Sequence, residues 1–176
     1  QAVDLRTMTP RWKFEAGDDT DATLALELEG ESPKLYTGCE VDKTGPRGKT
    51  WLRRLDALTG AVDWQKSYAC QGALTPKKID AGVFATPTLG TGEVADLVFF
   101  VLARCPGPEN GVLLALEKKT GAERWRFELP HFSWSTPTLL TDEDGHPWLL
   151  HGGISGVVRL FDARTGAVAA TLQLEG

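Results

Sequence analysis

The sequence predicts an all-β fold of serial four-stranded antiparallel meanders, and three observations carry that prediction. An apolar strand three times ends in an acidic residue, runs on to Thr-Gly and re-enters a strand: Leu55-Asp56-Ala57-Leu58-Thr59-Gly60, Leu116-Glu117-Lys118-Lys119-Thr120-Gly121 and Phe161-Asp162-Ala163-Arg164-Thr165-Gly166. In the first two copies a tryptophan, Trp64 or Trp125, follows the glycine by four positions. A second marker precedes each copy: Asp21-Ala22-Thr23-Leu24, Ala85-Thr86-Pro87-Thr88-Leu89 and Ser135-Thr136-Pro137-Thr138-Leu139. Self-similarity at a period of roughly 40 to 60 residues marks an array of small identical sheets, of which the propeller is the main case. The expected fold is therefore a partial β-propeller of about three blades plus one extra N-terminal outer strand, all within a single domain, residues 1–176.

The extra strand comes first. Pro10-Arg11-Trp12-Lys13-Phe14-Glu15 copies Glu123-Arg124-Trp125-Arg126-Phe127-Glu128, so residues 11–16 read as an orphan outer strand whose three blade partners the chain does not encode. The first blade, residues 22–69, opens with an alternating segment at 22–29: Leu24, Leu26 and Leu28 on one face, Thr23, Glu27 and Glu29 on the other. That period of two is the pattern of a half-buried strand. Strands at 35–41, 50–56 and 62–68 complete the blade. The second blade, 84–129, has strands at 84–89, 97–103, 112–117 and 123–129. The third, 134–176, has them at 136–140, 148–152, 157–162 and 168–174. Turn tracts separate the first two strands of each blade: Gly30-Glu31-Ser32-Pro33, Gly90-Thr91-Gly92-Glu93 and Asp142-Glu143-Asp144-Gly145.

Each part of the repeat has a mechanical reading. The acid (Asp56, Glu117 or Asp162) can accept hydrogen bonds from N–H groups in the turn. The glycine (Gly60, Gly121 or Gly166) supplies the positive φ of a tight hairpin. Trp64 and Trp125 are expected to be buried on outer strands against the neighbouring blade. The third copy has Ala170 in place of tryptophan, so its joint to a following blade is weaker. Exposed apolar surface is expected on the Leu24/Leu26 side of the first blade and on the outer face of the third. Remaining blades of a longer chain are the preferred cover, with a homo-oligomer as the alternative.

Composition narrows the function classes. A net charge of -5, with 24% charged residues, has the wrong sign for a phosphate backbone, so no nucleic-acid partner is expected. No apolar run approaches the ~20 residues of a membrane span. The absence of an initiator methionine and of a signal peptide reads as a processed or excised piece. Three cysteines without CxxC spacing exclude a zinc ribbon and thioredoxin-like chemistry. Cys39 and Cys70 fall within one repeat and could pair in an exported protein, leaving Cys105 over; three small buried hydrophobes is the equal alternative.

The Leu-Asp-x-x-Thr-Gly-x-x-x-Trp element resembles the repeat of quinoprotein-like (PQQ-like) β-propellers across nearly the whole chain, most specifically in the first two blades. Ala115 fits the small residue usual in that repeat, whereas Arg54 departs from it. The phrase Ser133-Trp134-Ser135-Thr136-Pro137 is similar to one in bacterial exported PQQ-like repeat proteins. The family also includes quinoprotein alcohol dehydrogenases and the propeller lipoprotein of the outer-membrane assembly machine. The resemblance implies an extracytoplasmic location: periplasmic, secreted or cell-surface. It also implies that an active dehydrogenase would need a quinone, a calcium-type cation, an aspartate base and an adjacent cysteine pair. This sequence has no Cys-Cys.

Candidate sites are few. Asp142 and Asp144 lie in a segment like a truncated calcium loop, but without acids at alternate positions and a distant glutamate a solvated hairpin turn is the preferred reading. The acidic tract Gly17-Asp18-Asp19-Thr20-Asp21 needs no cation as the entry loop to a strand. His131, His146 and His151 lack metal-ligand spacing. His131, Phe132 and Trp134, in a loop leading into an inner strand, form a candidate ligand surface; the alternative is a cover over the blade junction. The expectation is a non-enzymatic scaffold or ligand- and protein-recognition module without cofactor. The alternatives are a fragment of a quinoprotein-type oxidoreductase and a carbohydrate-binding propeller.

Overall fold

The structure is a computed structural model and describes residues 1–28, 32–42, 48–70 and 80–174. Glu29, the Gly30-Glu31 half of the first turn tract and residues 175–176 lie outside the described residues. Strands β1 (Ala2–Asp4) and β2 (Thr9–Trp12) form a hairpin. Strands β3 (Ala25–Glu27) and β4 (Lys34–Gly38) begin the first blade, β5 (Glu40–Val41) leaves it, and β6 (Lys49–Asp56) and β7 (Val62–Ala69) complete it. The short β8 (Ala81–Gly82) precedes the second blade, which comprises β9 (Thr88–Leu89), β10 (Leu97–Ala103), β11 (Gly111–Glu117) and β12 (Glu123–Leu129). The third blade is β13 (Thr138–Thr141), β14 (Pro147–Gly152), β15 (Val157–Asp162) and β16 (Val168–Gln173), paired antiparallel in chain order. The all-β, four-stranded propeller architecture read from the sequence is borne out.

Two expectations need correction. The strand placed at residues 11–16 is β2, ending at Trp12, and it is no orphan: Ala2–Asp4 pairs with it. The turn between them is a further copy of the repeat, Asp4-Leu5-Arg6-Thr7-Met8, with Trp12 four positions on. Met8 takes φ 55° where Gly60, Gly121 and Gly166 take 75°, 68° and 74°. Its N–H donates to the Asp4 carbonyl at 2.7 Å, as each of those glycines does to its own acidic residue at 2.8 Å. The second correction concerns residues 35–41, which are not one strand. The chain breaks at Cys39, whose carbonyl accepts the Val83 N–H at 3.1 Å, and β5 then pairs with β8. The β5–β8 pair joins the second blade's sheet, so the segment between β4 and β6 of the first blade extends the sheet of the second.

The joints between blades follow one rule. Trp12 Nε1 donates to the Ala57 carbonyl at 3.1 Å, Trp64 Nε1 to Lys118 at 2.8 Å and Trp125 Nε1 to Ala163 at 2.9 Å. Each acceptor directly follows the acid of the next repeat. Each indole also lies on that repeat's glycine, where a Cβ would come within 2.6, 2.7 and 2.6 Å of the ring at Gly60, Gly121 and Gly166. Glycine is required there both for its backbone angle and for its missing side chain. Trp64 and Trp125 are 8% and 9% exposed. Ala170 occupies the same register position, opposite Leu160 as Trp64 is opposite Arg54 and Trp125 opposite Ala115, and it is exposed.

Arg54 finds a use at its unusual position: its guanidinium lies 5.9 Å from the Tyr36 ring centroid and donates to the same Lys118 carbonyl at 3.1 Å. Two apolar cores result. One, with Tyr36, Leu52, Phe100 and Leu114, fills the first blade–second blade joint. The other, with Phe99, Leu113, Leu149 and Phe161, fills the next. On the free face of the first blade, Leu24 and Leu26 are 46% and 49% exposed, and β16 is exposed along its whole length.

Trp64→Ala should cost about 3 to 5 kcal/mol in denaturant unfolding, the range for a large buried aromatic. Gly121→Ala should cost more than the ~1 to 2 kcal/mol of left-handed backbone strain alone, because its Cβ displaces the Trp64 ring.

Candidate functional site

The blade ends opposite the Thr-Gly turns carry the candidate ligand surface. Strand β10 is followed directly by Arg104, a non-glycine residue at φ 54°. Its backbone turns the side chain back over the loop that follows β12, and its guanidinium lies 3.5 Å above the Phe132 ring and 5.6 Å from Trp134. Nη1 donates to the Asp80 carbonyl at 3.1 Å, while Nε is buried without a partner among the described residues. Burial lowers the pKa of this group, which still carries its charge at neutral pH. Phe132 and Trp134 sit 5.6 Å apart, and Phe84, from the loop before β9, lies 5.9 Å from Trp134.

Below this stack the loop is pinned. The buried Ser133 hydroxyl donates to the Gly152 carbonyl at 3.0 Å and accepts the Ser135 N–H at 3.1 Å. Trp134 remains 53% exposed. His131 is exposed one residue before Phe132, and no ring contact joins it to the stack among the described residues. The arrangement is a rigid aromatic platform over a desolvated cation, suited to stacking a ligand's planar or apolar face.

A disulfide stands beside it, between Cys70 at the end of the first blade and Cys105 next to Arg104, with Cα atoms 4.3 Å apart. The sequence leaves open a Cys39–Cys70 pair or three unpaired cysteines, and the structure corrects both. Cys39 is buried and free, its carbonyl engaged at the β4–β5 break. Proximity within one repeat misled, because the end of β7 is nearer in space to the β10–β11 loop of the following blade.

The other candidates resolve into turn chemistry. Asp142 Oδ1 accepts the N–H groups of Asp144 at 3.1 Å and His146 at 2.8 Å, and Oδ2 accepts Trp148 Nε1 at 2.8 Å. Asp142 therefore closes the β13–β14 turn, under a His146–Trp148 stack at 4.1 Å. Among the described residues, the three carboxylates that come within 4.8 Å of one another are instead Asp18, Asp19 and Asp42. In the repeat motif, Asp56 Oδ1 accepts Leu58 N–H at 3.1 Å and Thr59 N–H at 3.0 Å, and Asp162 Oδ1 accepts Arg164 N–H at 2.8 Å. Glu117, one methylene longer, meets the Thr120 hydroxyl at 2.8 Å.

No protein-family model matches the chain. Subunit 1 of the cytochrome c methanol dehydrogenase of Methylobacterium organophilum is 27% identical over 155 residues, 82% of this chain and 21% of that protein. BamB from Moraxella catarrhalis superposes with TM-score 0.57 and 20% identity, over 95% of this chain and 41% of its own. Quinohemoprotein alcohol dehydrogenase from Comamonas testosteroni does so with TM-score 0.64 and 15% identity, over 97% and 31%. The chain has the quinoprotein-type propeller fold. It spans about a fifth of the curated relative's length and less than half of either solved structure. Within this quinoprotein-type propeller, Arg104 and Phe84 are the platform residues that sequence reasoning missed. Neither stands in a repeated motif, and only the neighbouring Cys105 marks Arg104 at all.

Two buried titratable groups set opposite pH dependences. Burial, then Arg159, brings His151 down to about 4 from 6.5, so between those values the unfolded chain binds a proton that the folded chain refuses. Stability contributed by His151 therefore rises with pH across that window. Burial, then the Asp21 carboxylate, pushes Glu40 up to about 7 from 4.5, so there the folded chain holds the extra proton and stability falls as pH rises. Glu40→Gln removes the second effect alone. Thermal melts of the variant should rise more steeply between about pH 4.5 and 7 than those of the parent chain.

Proposed function

We propose that the chain is part of an extracytoplasmic quinoprotein-like propeller acting as a non-enzymatic recognition or scaffold module. The observation that carries this reading is the exposed Trp134, held by Phe132, Phe84 and the buried Arg104 at one blade end. A rigid indole presented on a pinned loop binds at low cost in side-chain ordering. The Cys70–Cys105 disulfide supports an oxidising compartment, and no helix among the described residues is long and apolar enough to cross a membrane.

A second reading, a piece of a quinone-dependent oxidoreductase, draws on the identity with the methanol dehydrogenase subunit. The residues present do not fit a quinone seat of the resembled kind. The disulfide joins residues 35 positions apart rather than an adjacent pair, and Cys39 is buried.

Peptide and glycan arrays probed with the parent chain and with Trp134→Ala separate these readings from a structural cover. Binding lost in the variant supports recognition through the platform, and identical array patterns refute it. Pyrroloquinoline quinone added to the chain should leave its absorbance and the protein's fluorescence unchanged; saturation at one quinone per chain would instead establish the oxidoreductase reading.

A further inference from the structure

We propose that His151 is an acid-sensitive latch on the aromatic platform: the neutral ring keeps the joint between the second and third blades closed, and its protonation opens that joint and frees the Trp134 loop. The latch would regulate the surface read above as a recognition site, and it rests on that reading. His151 is 1% exposed, and neither Nδ1 nor Nε2 has a hydrogen-bond partner among the described residues. A buried imidazole with both nitrogens unsatisfied is uncommon, because each missing bond costs free energy that an apolar side chain of the same size would not. Neither the turns nor the joint tryptophans use this ring.

Its surroundings offer a proton no welcome. Strand β14 alternates its side chains, so His151 shares the face of Leu149, which packs in one core with Phe99, Val101, Leu129 and Phe161. The ring therefore stands in the joint between blades. Across β15 it is paired with Arg159, the charged group that acts on it. Arg126 and Glu128 of β12 line a cleft with Tyr68, on the side of their strand away from this core. The loop after β12 brings the Ser133 hydroxyl, already bonded to the Gly152 carbonyl and the Ser135 N–H. Protonation would thus place a second cation beside Arg159, with two N–H donors and no acceptor. The path to the platform is short. Gly152 follows His151, its carbonyl holds the Ser133 hydroxyl at 3.0 Å, and Trp134 is the next residue. Burial, then Arg159, brings the ring to about 4 in the closed joint from 6.5. Below 6.5 the open joint binds the proton that the closed one refuses, so opening gains about tenfold per pH unit until about pH 4.

The test follows amide hydrogen exchange in the 176-residue chain, without ligand, between about pH 4.5 and 7.5. The protection factor of the Ser135 amide, which donates to the Ser133 hydroxyl, should fall about tenfold per pH unit below 6.5, while the β6–β7 ladder of the first blade keeps its own. His151→Leu should hold Ser135 protection level, and Arg159→Met should shrink its loss. A nuclear magnetic resonance titration of the His151 ring needs no substitution: charging of the ring and loss of Ser135 protection should follow one pH profile. Identical profiles in the parent chain and His151→Leu, a loss spread equally over the first blade, or a ring that charges without loosening Ser135 would each overturn the latch. A ligand found on the arrays should elute from the parent chain at about pH 5 and stay on His151→Leu. Arrays that yield none would refute the recognition reading, while the exchange profiles still decide the latch.

Discussion

One contact organises the molecule: an indole lying on the glycine of the next repeat while its N–H reaches the carbonyl just after that repeat's acid. It appears in the same form at Trp12, Trp64 and Trp125. Its two halves constrain each other. The ring can descend only where no Cβ stands, and the carbonyl is held in place because the acid gathers the turn's donors. A blade is therefore oriented against its neighbour by a turn that is also its own hairpin closure, which makes each repeat both lock and key. The large apolar faces meet around that contact rather than setting it.

The fold was legible because this constraint recurs at fixed spacing. Alternation marks the Leu24 and Leu26 stripe, which is half exposed as its place on the outermost blade face implies, but gives no sign of Ala22 and Ala25, which are buried. The copy at Asp4 escapes a motif that ends in glycine, because Met8 adopts the same left-handed backbone without it. Met8 is 72% exposed, and no ring closes on that turn among the described residues, so only the conformational half of the glycine requirement applies there. The site was legible only in its aromatic part. Phe132 and Trp134 announce themselves as bulky residues in a loop. Arg104 belongs to the platform through a left-handed backbone and a stack across two loops, neither of which leaves a pattern in the chain. The disulfide escaped for a related reason: its partners are neighbours across a joint, and sequence distance favours pairs within a blade.

Arg54 and Ala115 show how much variation the joint absorbs. They hold the same register opposite Trp64 and Trp125, yet one is a long cation and the other a methyl group. The guanidinium is accommodated because it lies flat near Tyr36, reaches the shared Lys118 carbonyl and meets Asp63 at 3.4 Å. That trio brings charge into an apolar joint only with its partners, as buried charge must.

The β5–β8 pair makes the two blade joints unequal. The first and second are sewn together by backbone pairing, by the Cys70–Cys105 bond and by the Trp64 contact. The second and third are joined by the Trp125 contact and by bonds such as that from the Thr86 N–H to the Thr136 hydroxyl oxygen at 3.1 Å. The second joint rests on side chains, the Phe99, Leu113, Leu149 and Phe161 core among them, where the first also has backbone pairing and a covalent bond. The platform straddles that joint, with Arg104 and Phe84 on the second blade and Trp134 leading into the third. A small rotation of the third blade would change the spacing of the aromatic stack, so the shape of that surface is tied to the angle between blades.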